Sequence, residues 1–118
     1  MRGIRGAITA EKNTKRAIRE AARQLTREMC IANHIQPTDI AALIFTATDD
    51  LTAAFPASGA RSLVGFEYVP LFDARQMDVE GGLSLCIRAL MLVDTDTPRE
   101  KIHHIYLNHA ASLRPDLK

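Results

Sequence analysis

Arg88 has the most demanding setting of any charged residue in this sequence, because it interrupts the apolar run LCIRALMLV at residues 85–93. A guanidinium keeps its proton and offers five N–H donors, so burying one without a partner is very costly. A buried Arg88 therefore predicts an opposing anion, either a carboxylate of the protein or a ligand. Two acidic candidates before it, Asp73 and Asp78, lie in and just beyond a polar turn of Asp73, Ala74, Arg75 and Gln76, ahead of a Gly81-Gly82 pair. Arg5 is a second candidate. In MRGIRGAITA it is the only large side chain on its face of an alternating strand, and Gly3 and Ala7 leave room beside it. An edge-strand arginine in solvent fits the same spacing. Tyr106 adds a hydroxyl, and Arg61 and Arg114 add further guanidinium groups. Arginines with a tyrosine hydroxyl suit a small molecule carrying two carboxylates; a structural ion-pair network is the alternative.

Other chemistries lack their signatures. There is no phosphate-cradling glycine loop and no dinucleotide fingerprint. His103 and His104 are adjacent on an expected strand and point to opposite faces, and zinc-type spacings are absent, so neither metal nor cofactor is expected. Ser58, Ser62 and Ser84 read as helix or turn serines rather than nucleophiles. A net charge of +1 argues against a nucleic-acid binder. Eleven arginines against four lysines modestly favour a small anion, since guanidinium is the better fork for carboxylates. Cys30 and Cys86 form no CxxC pair and read as reduced core thiols of a cytoplasmic protein. No apolar signal core and no run of membrane-spanning length is present, so no membrane partner is expected.

The elements that must position these groups follow from periodicity. Residues 1–10 form a strand with Ile4, Gly6 and Ile8 on one face. Asn13 or Thr14 caps a helix to about Asn33 with Ile18, Ala21, Ala22, Leu25, Met29 and Ala32 as its apolar stripe and its charges in solvent. Residues 40–47 (IAALIFTA) read as a buried strand, although periodicity alone leaves a helix open for this run. Pro56 opens a short helix to about Leu63, and Phe55 before it suits an exposed aromatic at a subunit contact. Buried strands are expected at 68–72 and 85–93, a capping box at Thr97–Glu100, and a last strand at 102–107. The sum is an α+β single domain over residues 1–118, a five-stranded mixed sheet packed by one long helix, with a mobile tail after about Leu113. One helix cannot cover both sheet faces, so a homo-oligomer that buries the second face is expected.

Across its length the chain resembles the monofunctional, AroH-class chorismate mutases, through MRGIRGAIT, ATDDLTAAFPASGAR, YVP, MDV-x-GG, CIR, TDTP, IxHIYL and LRPDL. The resemblance implies a homotrimeric pseudo-α/β-barrel that converts the dianion chorismate to prephenate in clefts between subunits, in aromatic amino acid biosynthesis. By matched position, Arg5, Arg88 and Tyr106 would line the site from one subunit together with the turn Phe72, Asp73, Ala74, Arg75 and Gln76. Phe55, Ala57, Ser58 and Arg61 would come from the adjacent subunit, and Leu113 and Arg114 would close over it. Gln76 stands where the family has a glutamate, Ser58 where a lysine is frequent, and Asp73 where a cysteine or serine is common. The expectation is that Asp73 supplies the displaced carboxylate, paired with Arg88, while Gln76 keeps a hydrogen bond; a Gln76 enzyme that tolerates a weaker site is the alternative. A trimeric imine-deaminase-like or small-carboxylate-binding protein using the same cleft is the alternative, and a purely structural assembly would need an internal acid for Arg88.

Overall fold

In β1 (Arg2–Thr9) the alternation of side chains decides the layering: Ile4 and Ile8 are fully buried, whereas Gly3 and Arg5 are exposed. The structure, a computed structural model, describes residues 1–113; Arg114 and the expected mobile tail lie outside the described residues. The remaining elements are α1 (Lys15–Asn33), β2 (Ile40–Ala47), α2 (Pro56–Arg61), β3 (Leu71–Arg75), β4 (Cys86–Val93) and β5 (Ile105–Leu107), with 3₁₀ turns at Pro37–Asp39, Arg99–Lys101 and Asn108–Leu113. The strands form one mixed sheet in the order β3-β2-β4-β1-β5. β2 runs parallel to β3 and β1 parallel to β5, while β4 is antiparallel to both of its neighbours.

Thr14 caps α1, its side chain accepting from the Ala17 N–H at 3.1 Å, and His34 ends the helix in the left-handed region at φ 54°. Ile18, Leu25 and Met29 on α1 meet Ile4, Ile8, Phe45, Ile87 and Met91 in the core. Each such side chain contributes about 1.5–3 kcal/mol on burial. The helix sits close to the sheet at Gly6, where a Cβ would lie 2.7 Å from Met29 Sδ. No helix among the described residues is long and apolar enough to cross a membrane.

Four boundaries differ from the sequence expectation. The strand expected at 68–72 begins at Leu71 and continues through the supposed turn to Arg75, and Tyr68 is 93% exposed rather than buried. The last strand is confined to Ile105–Leu107. Its missing first rung is supplied by a side chain: the Arg5 N–H donates to His104 Nδ1 at 2.9 Å. The Thr97 capping box does not form, because Pro98 stays extended and Thr97 Oγ1 bonds the Thr95 hydroxyl at 3.1 Å. The helix after Pro56 stops at Arg61, two residues early.

Candidate active site

Residues in register across a sheet project from the same face. One row runs Tyr106, Ala7, Arg88, Thr46 and Ala74, and the next runs Arg5, Leu90, Ile44 and Phe72. Both belong to the face that α1 does not cover. Ala7, between Tyr106 and Arg88, keeps the row low. Arg5, Arg88 and Tyr106 thus line one cleft of about 460 Å³ with Ile44, Thr46, Leu90 and Leu113.

Arg88 is exposed in the single chain, which corrects the expectation of a buried guanidinium. The apolar run around it is explained by its alternate residues, Ile87, Ala89, Met91 and Val93, which fill the opposite, helix-covered face. Arg88 is not neutralised internally: the one ion pair among the described residues joins Arg75 to Asp49 at 2.9 Å. Its close companion is Cys86, whose thiol is pushed up by burial while the charge and hydrogen bond of Arg88 pull it down and Asp50 opposes that.

Gln76 shares a second depression, of about 890 Å³, with Arg88 and Thr46. Its N–H donates to the Ala47 carbonyl at 3.1 Å, continuing the β2–β3 ladder one step past the strand. Its Oε1 is buried with no hydrogen-bond partner among the described residues. A buried acceptor without a donor is costly, and this one is suited to a hydroxyl.

Asp73 does not join Arg88. Its row is Gly6, Ala89 and Phe45, the helix-covered face, so the two side chains leave opposite sides of the sheet. Asp73 Oδ1 instead accepts from the Ala57 N–H at 3.0 Å, fastening the first turn of α2 to β3. Burial pushes the Asp73 carboxyl above its usual range, opposed by the Ala57 N–H and the Arg61 charge. The expected pairing of Asp73 with Arg88 is therefore withdrawn.

The α2 side forms a wall of its own, a cleft of about 620 Å³ lined by Phe55, Ser58, Asp73, Ala74 and Arg75 with Lys15 and Arg19 of α1. Phe55 is 73% exposed, as expected, and Ala57 is buried beneath it. Asn13 holds the loop above, its Oδ1 accepting from the Thr52 and Ala53 N–H groups at 2.9 and 3.0 Å. Asp73, Ala74 and Arg75 thus border the cleft of Phe55 and Ser58, while Arg75 and Gln76 border the depression that holds Arg88. Phe72, 65% exposed, stands on the uncovered face, and Arg61 is exposed at the end of α2. Arg114 lies outside the described residues. Sequence reasoning missed Lys15 and Arg19, which were read as solvated charges. Their spacing of four put them on one side of α1, but nothing local tied that side to residue 58.

Residues 1–117 match the family described as chorismate mutase type I. The chain is 45% identical over 117 residues to chorismate mutase AroH of Bacillus subtilis (strain 168), across 99% of this chain and 92% of that one. It is 51% identical over 119 aligned residues to chorismate mutase AroH of Thermus thermophilus, across 100% and 97%. The solved structure of a chorismate mutase from Clostridium thermocellum superposes with a TM-score of 0.92 at 41% identity, covering 95% of this chain and 99% of that one.

Proposed function

The chain belongs to the type I chorismate mutase family, and on that premise we propose that it rearranges chorismate to prephenate in clefts shared by neighbouring copies of a homotrimer. The observation that carries this reading is the convergence of Arg5, Arg88 and Tyr106 in one cleft with no acid paired to either arginine among the described residues. The imine-deaminase-like alternative is not favoured. A purely structural role is disfavoured too, because the internal acid that it required for Arg88 is not found among the described residues.

The rearrangement is unimolecular and pericyclic, so the protein has two tasks. One is to hold the flexible dianion folded, with its reacting carbons in contact. The other is to aim fixed positive charge at the ether oxygen, where negative charge builds as the C–O bond breaks ahead of C–C formation. We assign Arg88 to the ether oxygen and one carboxylate, Arg5 and Tyr106 to carboxylate oxygens, and the free Oε1 of Gln76 to the substrate hydroxyl. Phe72, Ala74 and Arg75 would line the same side as Arg88, Phe55, Ala57, Ser58 and Arg61 of the adjacent copy would form the facing wall, and Leu113 and Arg114 would close it. Asp73 then acts through Ala57, as a positioning residue for α2. A cytoplasmic site of action belongs to the same reading and agrees with two free cysteines, Cys30 and Cys86.

The test is the disappearance of chorismate absorbance in the presence of the purified protein, with prephenate as product. Arg88→Lys keeps the charge but loses the fork, and is expected to lower kcat/KM about 10²- to 10³-fold. Near-normal turnover by that variant would remove Arg88 from the ether oxygen.

A further inference from the structure

We propose that Arg19 is the cation that the α2 wall presents to a substrate carboxylate, with Ser58 as its positioning residue. This rests on the chorismate reading above and adds to it a group from α1, an element with no other assigned part in the site. Arg19 lies where α1 and α2 cross: a Cβ at Gly59 would collide with the Arg19 carbonyl, so the backbone there is fixed. From that point Arg19 Nε donates to Ser58 Oγ at 3.2 Å, and Ser58 Oγ donates to the Phe55 carbonyl at 2.7 Å. The relay holds the guanidinium over the first turn of α2, beside the exposed ring of Phe55. It uses one of five N–H donors, and the guanidinium makes no ion pair among the described residues. Both terminal nitrogens keep the fork that binds a carboxylate in two places.

The charges around this cleft point the same way. Arg75 is committed to Asp49 at 2.9 Å. Arg61 acts on Asp73, whose Oδ1 already accepts from Ala57. Asp73 would repel a dianion entering here, and the uncommitted cations on the wall are Lys15 and Arg19, one helical turn apart. Of the two, Arg19 is anchored on a side chain of α2, while the Lys15 side chain makes no hydrogen bond or ion pair among the described residues.

Steady-state kinetics on chorismate with the full chain tests the proposal. Arg19→Gln is expected to raise KM roughly 10- to 100-fold with kcat changed by less than about threefold, as for loss of a charged hydrogen bond made before the chemical step. Arg19→Lys is expected to recover part of that loss. Ser58→Ala, which frees the guanidinium, is expected to raise KM about threefold to fivefold. Adding Ser58→Lys to Arg19→Gln returns a cation to the wall from α2 itself and is expected to bring KM back towards the parent. Arg27→Gln, two turns further along α1, serves as the neutral control, and Ser58→Ala carries the test should Arg19→Gln fold poorly. A KM within twofold of the parent for Arg19→Gln overturns the proposal. So does an equal rise for Arg19→Gln, Arg19→Lys and the double variant, since charge would then be irrelevant. A parent protein that leaves chorismate untouched overturns the chorismate reading itself, a separate outcome.

Discussion

At residue 73 a single step in strand register decides between two roles. Had Asp73 shared a row with Arg88 it would be an internal counter-ion; sharing one with Phe45 and Ala89, it fastens α2. Asp73→Asn keeps an oxygen for the Ala57 N–H and is therefore expected to leave kcat within about twofold of the parent, since the pair it would break does not exist. Its effect belongs to stability. Because burial raises the folded-state pKa, the folded chain holds this proton more tightly than the unfolded chain does. Stability from Asp73 is thus greatest at low pH, falls as pH rises from the ordinary carboxylate range through the raised value, and is flat beyond it. Thermal unfolding should find Asp73→Asn at least as stable as the parent near neutrality, the difference shrinking in acid. A variant less stable at pH 7 than at pH 4, relative to the parent, would reverse that sign. Gln76 is the opposite case, with a buried acceptor still unsatisfied beside Arg88. An ionised acceptor makes the stronger bond to a hydroxyl, so Gln76→Glu is expected to raise kcat/KM about fivefold to tenfold and Gln76→Met to lower it by about 1–2 kcal/mol. A Gln76→Met enzyme with unchanged kcat/KM would take the hydroxyl contact away from this residue.

Among the glycines, Gly59 at the crossing of α1 and α2 leaves the least room for a side chain. Gly59 is there because any side chain would meet the Arg19 backbone. Gly59→Ala should force the helices apart at a cost of about 1–3 kcal/mol, visible in the denaturant midpoint. It should also raise KM, since the Arg19–Ser58 bond spans the same crossing. An alanine variant with parental stability would mean that the crossing is looser than this. The strength of the local signals explains which elements were legible. α1 spans several turns with an apolar stripe and a threonine cap, and its limits can be read directly from the sequence. β4 was equally plain, whereas the continuous apolar run of β2 fitted a helix as well until its place in the sheet was seen. β3 was misread because YVPLF looks like a buried run, yet Pro70 cannot donate to a ladder and its carbonyl accepts from the Leu43 N–H before the strand begins. As an edge strand, β3 then runs through polar residues that a central strand would exclude. β5 was over-extended because no local pattern says that a histidine ring, not a backbone carbonyl, will take the Arg5 N–H.

For the whole molecule, the uncovered sheet face sets the requirement for a partner. Phe72 is 65% and Leu90 38% exposed there, beside Arg5 and Arg88. The residues matched to one family site are divided in this chain between two walls, the Arg88 cleft and the α2 cleft. Sequence alone suggested the residues but not their partition, because the division follows from register parity and from a helix crossing that brings together positions 39 residues apart. If each site takes its arginines from one copy and its α2 wall from the next, two defective chains can repair each other. Arg88→Ala removes from the first wall the guanidinium assigned to the ether oxygen, and Ser58→Asp sets a carboxylate against the dianion on the second, so each alone should be nearly inactive. In a trimer assembled at random from equal amounts of both, a site is intact when its arginine wall comes from the Ser58→Asp chain and its facing wall from the Arg88→Ala chain. That holds for about a quarter of sites under cyclic symmetry, so co-expressed chains should regain about a quarter of the parental rate. Sites built within one chain would regain nothing, and an assembly that exchanges no subunits would regain nothing on mixing but would still do so on co-expression. A co-expressed mixture with no more activity than its separate parts would show that the two walls do not meet across an interface.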